Sequence, residues 1–290
     1  MATNYYHIAY SKSADGKEGF TKTYPAPNLL PNSTWNLGGG TWTFNPINDK
    51  NFEILQPESD KPESKILHAF PITSSVQQTS NIPHPIPVRK EEEITISFDF
   101  KDKGWTRSSN LLVVRVFPDK DTPNSQANSL QNVSVNSNTF GITENTDEFK
   151  RFNFTIKVIA DGYLDILPYN SESSGDYESW WREIKVEHGK IVTPWMPHES
   201  EVTSKDYPTY IGTYTDENET SSTDPADYTW EMMNYRIYLD GVAVAGSKLL
   251  SAKVEDLNPD TSYTIQVKQV SGEEESDFSD SVTFKTNVQK

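Results

Sequence analysis

Short runs in which apolar and polar residues alternate recur along this chain, and they constrain its fold more than any other feature. The two clearest runs are "EITISFDF", with Ile94, Ile96, Phe98 and Phe100 on one side, and "RFNFTIKV", with Phe152, Phe154, Ile156 and Val158 on one side. Successive side chains of a strand point to opposite faces, so this period indicates strands that bury one face. Connections rich in Pro, Ser and Asn separate the runs, as in "FPDKDTPNSQANS". The pattern predicts an all-β chain whose central part is an antiparallel sandwich or a jelly roll.

The sequence divides into three parts. Residues 1–25 read as one strand and a polar linker, and residues 26–203 carry the densest strand signals. Residues 204–290 open with the acidic stretch "YTDENETSSTDPADYTW" and continue as short strands. This last part has 7 basic and 16 acidic side chains. We therefore expect a large central domain, a smaller acidic C-terminal domain, and an N-terminal segment that either packs with the C-terminal part or extends freely.

Composition excludes several classes of function. The chain has no cysteine, so it can form neither disulfides nor thiolate metal sites. Its net charge of −16 would repel nucleic acid, and no apolar stretch approaches the roughly 20 residues of a membrane span. No G-x-S-x-G, H-E-x-x-H or phosphate-loop motif is present. We expect a non-enzymatic protein, although 42 carboxylates leave a glycosidase pair open at this stage.

The C-terminal part resembles a fibronectin type III domain. "WEMMNYRIYLDG" is similar to the B-strand tryptophan and C strand of that family, and "LNPDTSYTIQVKQVSGEEESDFSDSVTFKT" to its E–F corner and last two strands. Leu257, Pro259 and Tyr263 match the corner pattern. A buried tyrosine there needs a partner for its hydroxyl and can tie the corner back to the chain. The resemblance implies a small second sandwich.

The central part resembles jelly-roll carbohydrate-binding modules in tail and baseplate proteins of phages that infect Gram-positive bacteria. The opening "NLLPNSTWNLGGGTWTF" and the close "WWREIKVEHGKIVTPWMPHESE" carry this likeness. "YYHIAYSKSADGKEGFTKTYP" and "YPTYIGTYTDENETSSTDPADYTW" resemble two halves of one tail-fibre segment, with the jelly roll inserted between them. The resemblances imply a protein of the virion tail that holds a saccharide-binding domain toward the host surface.

The tandem tryptophans of "ESWWREIKVEH" supply the first candidate contact. Alternate residues of a strand share a face, so Trp180 is expected on the same face as Ile184 and Val186, whose apolar side chains suit the core. Trp181 is then expected on the solvated face. An exposed indole beside charged groups suits the C–H face of a pyranose ring. The alternative is that Trp181 is covered by the 170–177 loop or by another strand.

Further candidates lie in polar loops. Trp105 and Arg107 stand in "KDKGWTRSSN" between two strands, as contacts or as a cap over the core. Four residues flank a Ser- and Glu-rich loop that could border the same groove: Tyr169, Asn170, Asp176 and Tyr177. No cofactor is required. Jelly rolls of this type allow a structural calcium, for which Glu187 and the backbone near Asn32 are candidates; the alternative is that Glu187 is a surface charge.

Three functional hypotheses follow. The first is non-catalytic binding of a host cell-wall or cell-surface polysaccharide by a phage tail or baseplate protein, which aids adsorption. The second is a spacer whose β-domains bind only other tail or baseplate proteins, with the acidic C-terminal part as a docking surface for a basic partner. The third is a module accessory to a cell-wall-degrading enzyme. No nucleic-acid or membrane partner is expected.

Overall fold

A computed structural model describes residues 3–36, 52–70, 86–103, 110–169, 177–254 and 257–287. The chain forms two compact units. The sandwich unit comprises Asn28–Val192 and Pro197–Glu201, and the terminal unit comprises Met1–Pro27, Thr193–Met196 and Val202–Lys290. The described residues form these strands: β1 Tyr5–Ser11, β2 Phe52–Leu55, β3 Ile66–Ala69, β4 Ile86–Val88, β5 Glu93–Lys103, β6 Asn110–Phe117, β7 Gln131–Asn136, β8 Thr146–Lys157, β9 Gly162–Pro168, β10 Glu178–His188, β11 Tyr210–Asp216, β12 Thr229–Met232, β13 Tyr235–Leu239, β14 Val242–Ser247, β15 Ser262–Ser271, β16 Glu274–Glu275 and β17 Val282–Lys285.

The predicted all-β class is confirmed. Helical structure in the described ranges is limited to four short 3₁₀ turns, and every strand pairing is antiparallel. The sandwich unit has a five-stranded sheet, in the order β2-β3-β10-β5-β8, and a four-stranded sheet, in the order β4-β9-β6-β7. One apolar core contains residues from both sheets, so the two sheets form a β-sandwich.

The alternating run on β5 builds the centre of this core. Ile94, Ile96, Phe98 and Phe100 are fully buried, as their spacing predicted. Burying one large apolar side chain contributes ~1.5–3 kcal/mol. Such a strand therefore stabilises the sandwich only with its apolar face inward, which fixes its register against β8 and β10.

The two adjacent tryptophans on β10 lie on the opposite faces from those that simple alternation predicted. Trp181 is fully buried in the core, and its Nε1 donates to the Leu111 carbonyl at 3.2 Å, whereas Trp180 is the half-buried outer residue. The pairing of β10 with β5 shifts register between Arg182 and Lys185, where Glu183 has a φ of +51°. This β-bulge adds one residue, so Trp181 and Ile184 both point inward although their numbers differ in parity. The prediction that Trp181 lies on the solvated face is therefore wrong.

The terminal unit joins residues from both ends of the chain. β1 pairs along its whole length with β11, which also pairs with β12. A second sheet has the order β14-β13-β15-β16, with β17 on the other part of β15. The N-terminal strand, whose packing the sequence left open, is thus an integral part of this unit.

A buried arginine organises the aromatic core of the terminal unit. Arg236 is 1% exposed; its Nε donates to the Tyr24 hydroxyl at 3.1 Å and its Nη1 to Glu275 Oε2 at 2.7 Å. Its guanidinium lies 4.1 Å from the centre of the Tyr207 ring. These contacts join the N-terminal linker to the C-terminal sheet.

The predicted corner contact is present. The Tyr263 hydroxyl accepts a hydrogen bond from the Asn258 backbone N–H at 3.0 Å. The first strands of this part, β11 and β12, form a sheet with β1. The likeness of this part to a fibronectin type III domain therefore stays a prediction.

Candidate functional site

The described structure contains three of the seven predicted saccharide contacts. Trp105, Arg107, Asn170 and Asp176 lie outside the described residues. Trp181, Tyr169 and Tyr177 are all more than nine-tenths buried. Since an enclosed indole has no face to offer, the prediction that Trp181 stacks against a sugar is wrong. Tyr169 belongs to a small buried cluster with Val113 and Leu167.

That cluster lies on the outward side of the four-stranded sheet. On β6, Leu112, Val114 and Val116 enter the sandwich core, so the alternate residues Val113 and Arg115 point away from it. Both are nevertheless only 2% exposed. The polar connection between β6 and β7 reaches over this side, because its residue Asn124 contacts Arg115.

Arg115 is the centre of a buried polar network on this face. Its Nε donates to Asn132 Oδ1 at 2.9 Å and its Nη1 to Asn124 Oδ1 at 2.7 Å. The Asn124 amide in turn donates to Asp165 Oδ2 at 2.7 Å. Burial lowers the pKa of the Arg115 guanidinium, an effect that the nearby Tyr169 and Asp165 oppose. The network fixes the β6–β7 connection on the sheet, because a buried cation without these acceptors would be strongly destabilising.

A pocket of about 550 Å³ opens beside this network. Asp119, Lys120, Asp121 and Thr122 from the β6–β7 connection line it together with Tyr163 from β9. The four loop residues are exposed or half-exposed, and Tyr163 is half-buried. The pocket thus combines one aromatic ring with two carboxylates, an ammonium and a hydroxyl.

Gly162 sets the approach of β9 to the end of β6. A Cβ atom at this position would lie 2.3 Å from the Phe117 carbonyl oxygen. A side chain at position 162 would push the two strands apart. The glycine of "DGY" therefore allows Tyr163 to lie close against β6, where it borders the pocket.

The outward side of the five-stranded sheet is occupied by the chain's own ion pairs. Asp99 is buried, and three cations surround its carboxylate: Lys61 at 2.9 Å, Arg151 at 3.1 Å and Arg182 at 3.3 Å. Arg182 also holds Asp60 through two parallel hydrogen bonds of 2.9 and 2.5 Å, which lower the pKa of Asp60 to about 2. These contacts close the 56–64 connection over the sheet, so this part of the face has little free hydrogen-bonding capacity.

Trp180 lies on the same outward side, between two cross-strand neighbours. Its ring stacks on His68 at 4.7 Å with an interplanar angle of 3°. Lys101 Nζ lies 5.6 Å from the ring centre. His68 thus covers one face of the indole, and Lys101 lies close to the ring.

Glu187, the predicted calcium ligand, is buried rather than a surface charge. It lies 3.2 Å from the Lys185 ammonium, which is itself fully buried. Burial lowers the pKa of Lys185 to about 8, although Glu187 opposes that shift. Within the described ranges, no three His, Asp or Glu side chains are grouped so that they could hold a metal ion. A calcium ion at Glu187 stays a prediction, and this carboxylate already has a cationic partner.

The sequence alone did not single out the pocket. "FPDKDTPN" reads as one of several polar connections, and Tyr163 as one strand residue among many. The available signal was the arginine at the centre of the apolar run "LLVVRVF", since a charge within such a run requires polar partners over it.

Comparison with known proteins identifies the class. Residues 208–266 match the family described as minor structural protein 5-like, C-terminal domain, the BppU-like C-terminal domain. The chain is 43% identical over 176 residues to a tail fiber protein of Enterococcus phage phiEF24C; this covers 60% of the chain but 9% of that protein. It also matches, over the full length of both chains, a chain in the structure of the tripod from the baseplate of bacteriophage Tuc2009, with 30% identity and a TM-score of 0.74.

These relatives define a structural protein of a phage tail or baseplate, which resides in the virion tail. The chain belongs to the same family as the Tuc2009 tripod chain. The predicted class and location are thereby confirmed. The described residues contain no helix of sufficient length and apolar character to cross a lipid bilayer.

Proposed function

We propose that the sandwich unit binds a saccharide of the host cell surface and that the chain aids adsorption without catalysing a reaction. The observation that carries this proposal is the pocket beside Tyr163. Its volume of about 550 Å³ falls within the usual range for small-ligand sites. The same pocket supplies an aromatic ring and several hydrogen-bonding groups.

The lining chemistry favours a ligand rich in hydroxyl groups. A sugar ring presents C–H bonds that pack against an aromatic surface and hydroxyls that need donors and acceptors around the edge. Tyr163 provides the surface, Asp119 and Asp121 accept hydrogen bonds, and Lys120 donates them. A polyanion would meet two carboxylates for one ammonium, so a neutral or amino sugar fits this lining better.

The arrangement supports binding rather than hydrolysis. Glycoside hydrolysis needs a pair of carboxyl groups flanking the bond, one of which stays protonated through desolvation. Asp119 and Asp121 are both exposed and come from the same stretch of loop. The relatives are structural tail and baseplate proteins, which supports the same conclusion.

The candidates outside the described residues remain proposed contacts. Trp105 and Arg107 precede β6, while Asn170 and Asp176 follow β9. β6 and β9 are the strands that carry Arg115 and Tyr163. In the antiparallel pair, the start of β6 and the end of β9 lie at the same end of the sheet. The pocket lies at the opposite end of this pair, beside the end of β6 and the start of β9. Substitution of Trp105 by alanine therefore tests a second contact region, separate from the pocket.

The test is labelling of host cells by the fluorescent full-length chain. Tyr163→Ala should reduce labelling about tenfold, because loss of one aromatic contact costs roughly 1–2 kcal/mol. Tyr6→Ala is the matched control: Tyr6 is a tyrosine on β1 in the terminal unit and is 63% exposed. It should label as the wild type does.

Three outcomes would contradict the proposal. Labelling that is unchanged by Tyr163→Ala places the site elsewhere. Absence of labelling by the wild type, combined with tight binding to other tail proteins, supports the spacer hypothesis instead. Release of reducing sugar from host cell walls would refute the non-catalytic function.

A further inference from the structure

The charges that line the pocket of the sandwich unit indicate the class of saccharide that it takes, an inference that rests on the function proposed above. Asp119, Lys120, Asp121 and Thr122 from the β6–β7 connection line the pocket together with Tyr163 from β9. Two carboxylates and one ammonium leave the lining with an excess of negative charge. A ligand with a positive group is therefore attracted, whereas a phosphate or carboxylate on the ligand is repelled.

The carboxylates of the pocket are not neutralised within the part of the protein that the structure describes. Asp119 and Asp121 form no ion pair with any described residue, including Lys120 between them. The carboxylates on the outward side of the five-stranded sheet differ in this respect, since Arg182 binds both Asp60 and Asp99. The two pocket carboxylates are thus available to a cation that arrives with the ligand.

The connection that carries these charges is held in a fixed position by the chain itself. The Thr122 N–H donates to the Asp119 carbonyl oxygen at 3.2 Å, which closes a turn over the two residues between them. Two residues further on, the Asn124 side chain lies 2.7 Å from Arg115 and 2.7 Å from Asp165. Because the charges of Arg115 and Asp165 are opposite, this network does not change the sign set by the lining. A preformed turn also loses little conformational freedom when a ligand binds.

The other two ligand classes fit this lining less well. The chain has a net charge of −16, so a polyanionic polymer is repelled at long range as well as at the pocket. A neutral sugar is not repelled, but it partly dehydrates Asp119 and Asp121 without supplying an opposite charge. A sugar with an ammonium group supplies that charge.

We propose that the pocket binds a saccharide with a free, unacetylated amino group. The ammonium of the sugar is bound by Asp119 and Asp121, its ring packs against Tyr163, and Lys120 donates to a hydroxyl. N-acetylation of the same sugar removes its charge and with it the attraction to the two carboxylates. The pocket therefore selects amino sugars over their N-acetylated forms.

Two substitutions of opposite sign test the charge of the ligand. Asp121→Asn should reduce labelling of host cells by the fluorescent full-length chain about fivefold, because it removes one partner of the ammonium. Lys120→Met should increase labelling about twofold, because it removes a like charge and keeps the apolar stem. Asp147→Asn and Lys150→Met are the matched controls. They make the same charge changes at exposed residues of β8 and should label as the wild type does.

Chemical N-acetylation of the host cells tests the ligand itself. Acetic anhydride converts free amino groups of the cell wall to neutral amides, so labelling by the wild type should fall about fivefold or more. The difference between the wild type and Asp121→Asn should also disappear, because the carboxylate has no ammonium left to bind. A general change in the charge of the cell surface would weaken both proteins equally and would leave that difference in place.

The outcomes separate this inference from the proposed function. If Tyr163→Ala reduces labelling while both charge variants label as the wild type does, the pocket binds a neutral sugar. If Lys120→Met labels less and Asp121→Asn labels more, the ligand is anionic. Either result, or a difference between the wild type and Asp121→Asn that persists on acetylated cells, overturns the amino-sugar inference and leaves saccharide binding in place. Labelling that Tyr163→Ala does not change would overturn the proposed function and this inference together.

Discussion

The buried guanidinium of the terminal unit offers the sharpest test of what stabilises this part of the protein. Arg236→Met keeps the approximate length of the side chain and its apolar stem but removes the charge and every hydrogen bond. The Tyr24 hydroxyl, which is buried and has its pKa raised by that burial, would lose its donor. Glu275 would keep Lys268 as a partner at 2.5 Å, so it would not become an isolated charge.

The expected cost follows from these contacts. Leaving the Tyr24 hydroxyl unpaired costs ~1–3 kcal/mol, and the charged hydrogen bond to Glu275 contributes ~1.5–3 kcal/mol. The stacking of the guanidinium on Tyr207 adds ~1–2 kcal/mol, since this contact is desolvated. The apolar contacts of methionine offset part of the loss. We expect a net destabilisation of about 3 kcal/mol, equivalent to a fall in Tm of roughly 10 °C for a unit of this size.

Scanning calorimetry of the full chain measures this change. The transition of the terminal unit should move, whereas that of the sandwich unit should stay in place. Arg89→Met, at an exposed arginine of the sandwich unit, is the control and should change neither transition. In the Arg236→Met background, Tyr24→Phe should cost nothing further, because the hydroxyl is already unpaired. A loss below about 1 kcal/mol, or additive effects of the two substitutions, would refute this account.

Two further predictions concern the sandwich unit. Trp181→Ala should destabilise it by ~3–5 kcal/mol, since it empties a fully buried indole site in the core; a loss below about 1 kcal/mol in urea unfolding would show that Trp181 is not enclosed. The pKa of Lys185 is about 8 in the folded state, where burial lowers it, and about 10.4 in the unfolded state. Between these values the unfolded state binds more protons, so the stability of the wild type relative to Lys185→Met should rise with pH. A difference that is flat or falls from pH 7.5 to 10, measured by urea unfolding, would contradict the burial of this ammonium.

The central core could be predicted from sequence because it depends on local alternation. Ile94, Ile96 and Phe98 need only the period of two to be assigned to one face, and the structure buries all three. The tryptophan pair could not be predicted in the same way. Its orientation depends on the bulge near Glu183, and no residue type there marks an inserted position.

The site was harder to predict because it depends on non-local contacts. Tyr163 and Asp121 lie about 40 residues apart and meet only through the pairing of β9 with β6. Sequence patterns show which residues a strand buries, but not which strands become neighbours or which loop folds over them.

The pairing of β1 with β11 has a consequence for biosynthesis. His7 pairs with Tyr214, so the ribosome must add about two hundred residues before β1 can find its partner. At ~5–20 residues per second, this strand waits for roughly 10–40 seconds while the whole sandwich unit emerges and can fold. Although β1 is translated before the sandwich unit, it is thus among the last strands to acquire its native neighbours, and a nascent chain that stalls within the sandwich carries an unpaired strand able to pair with other chains.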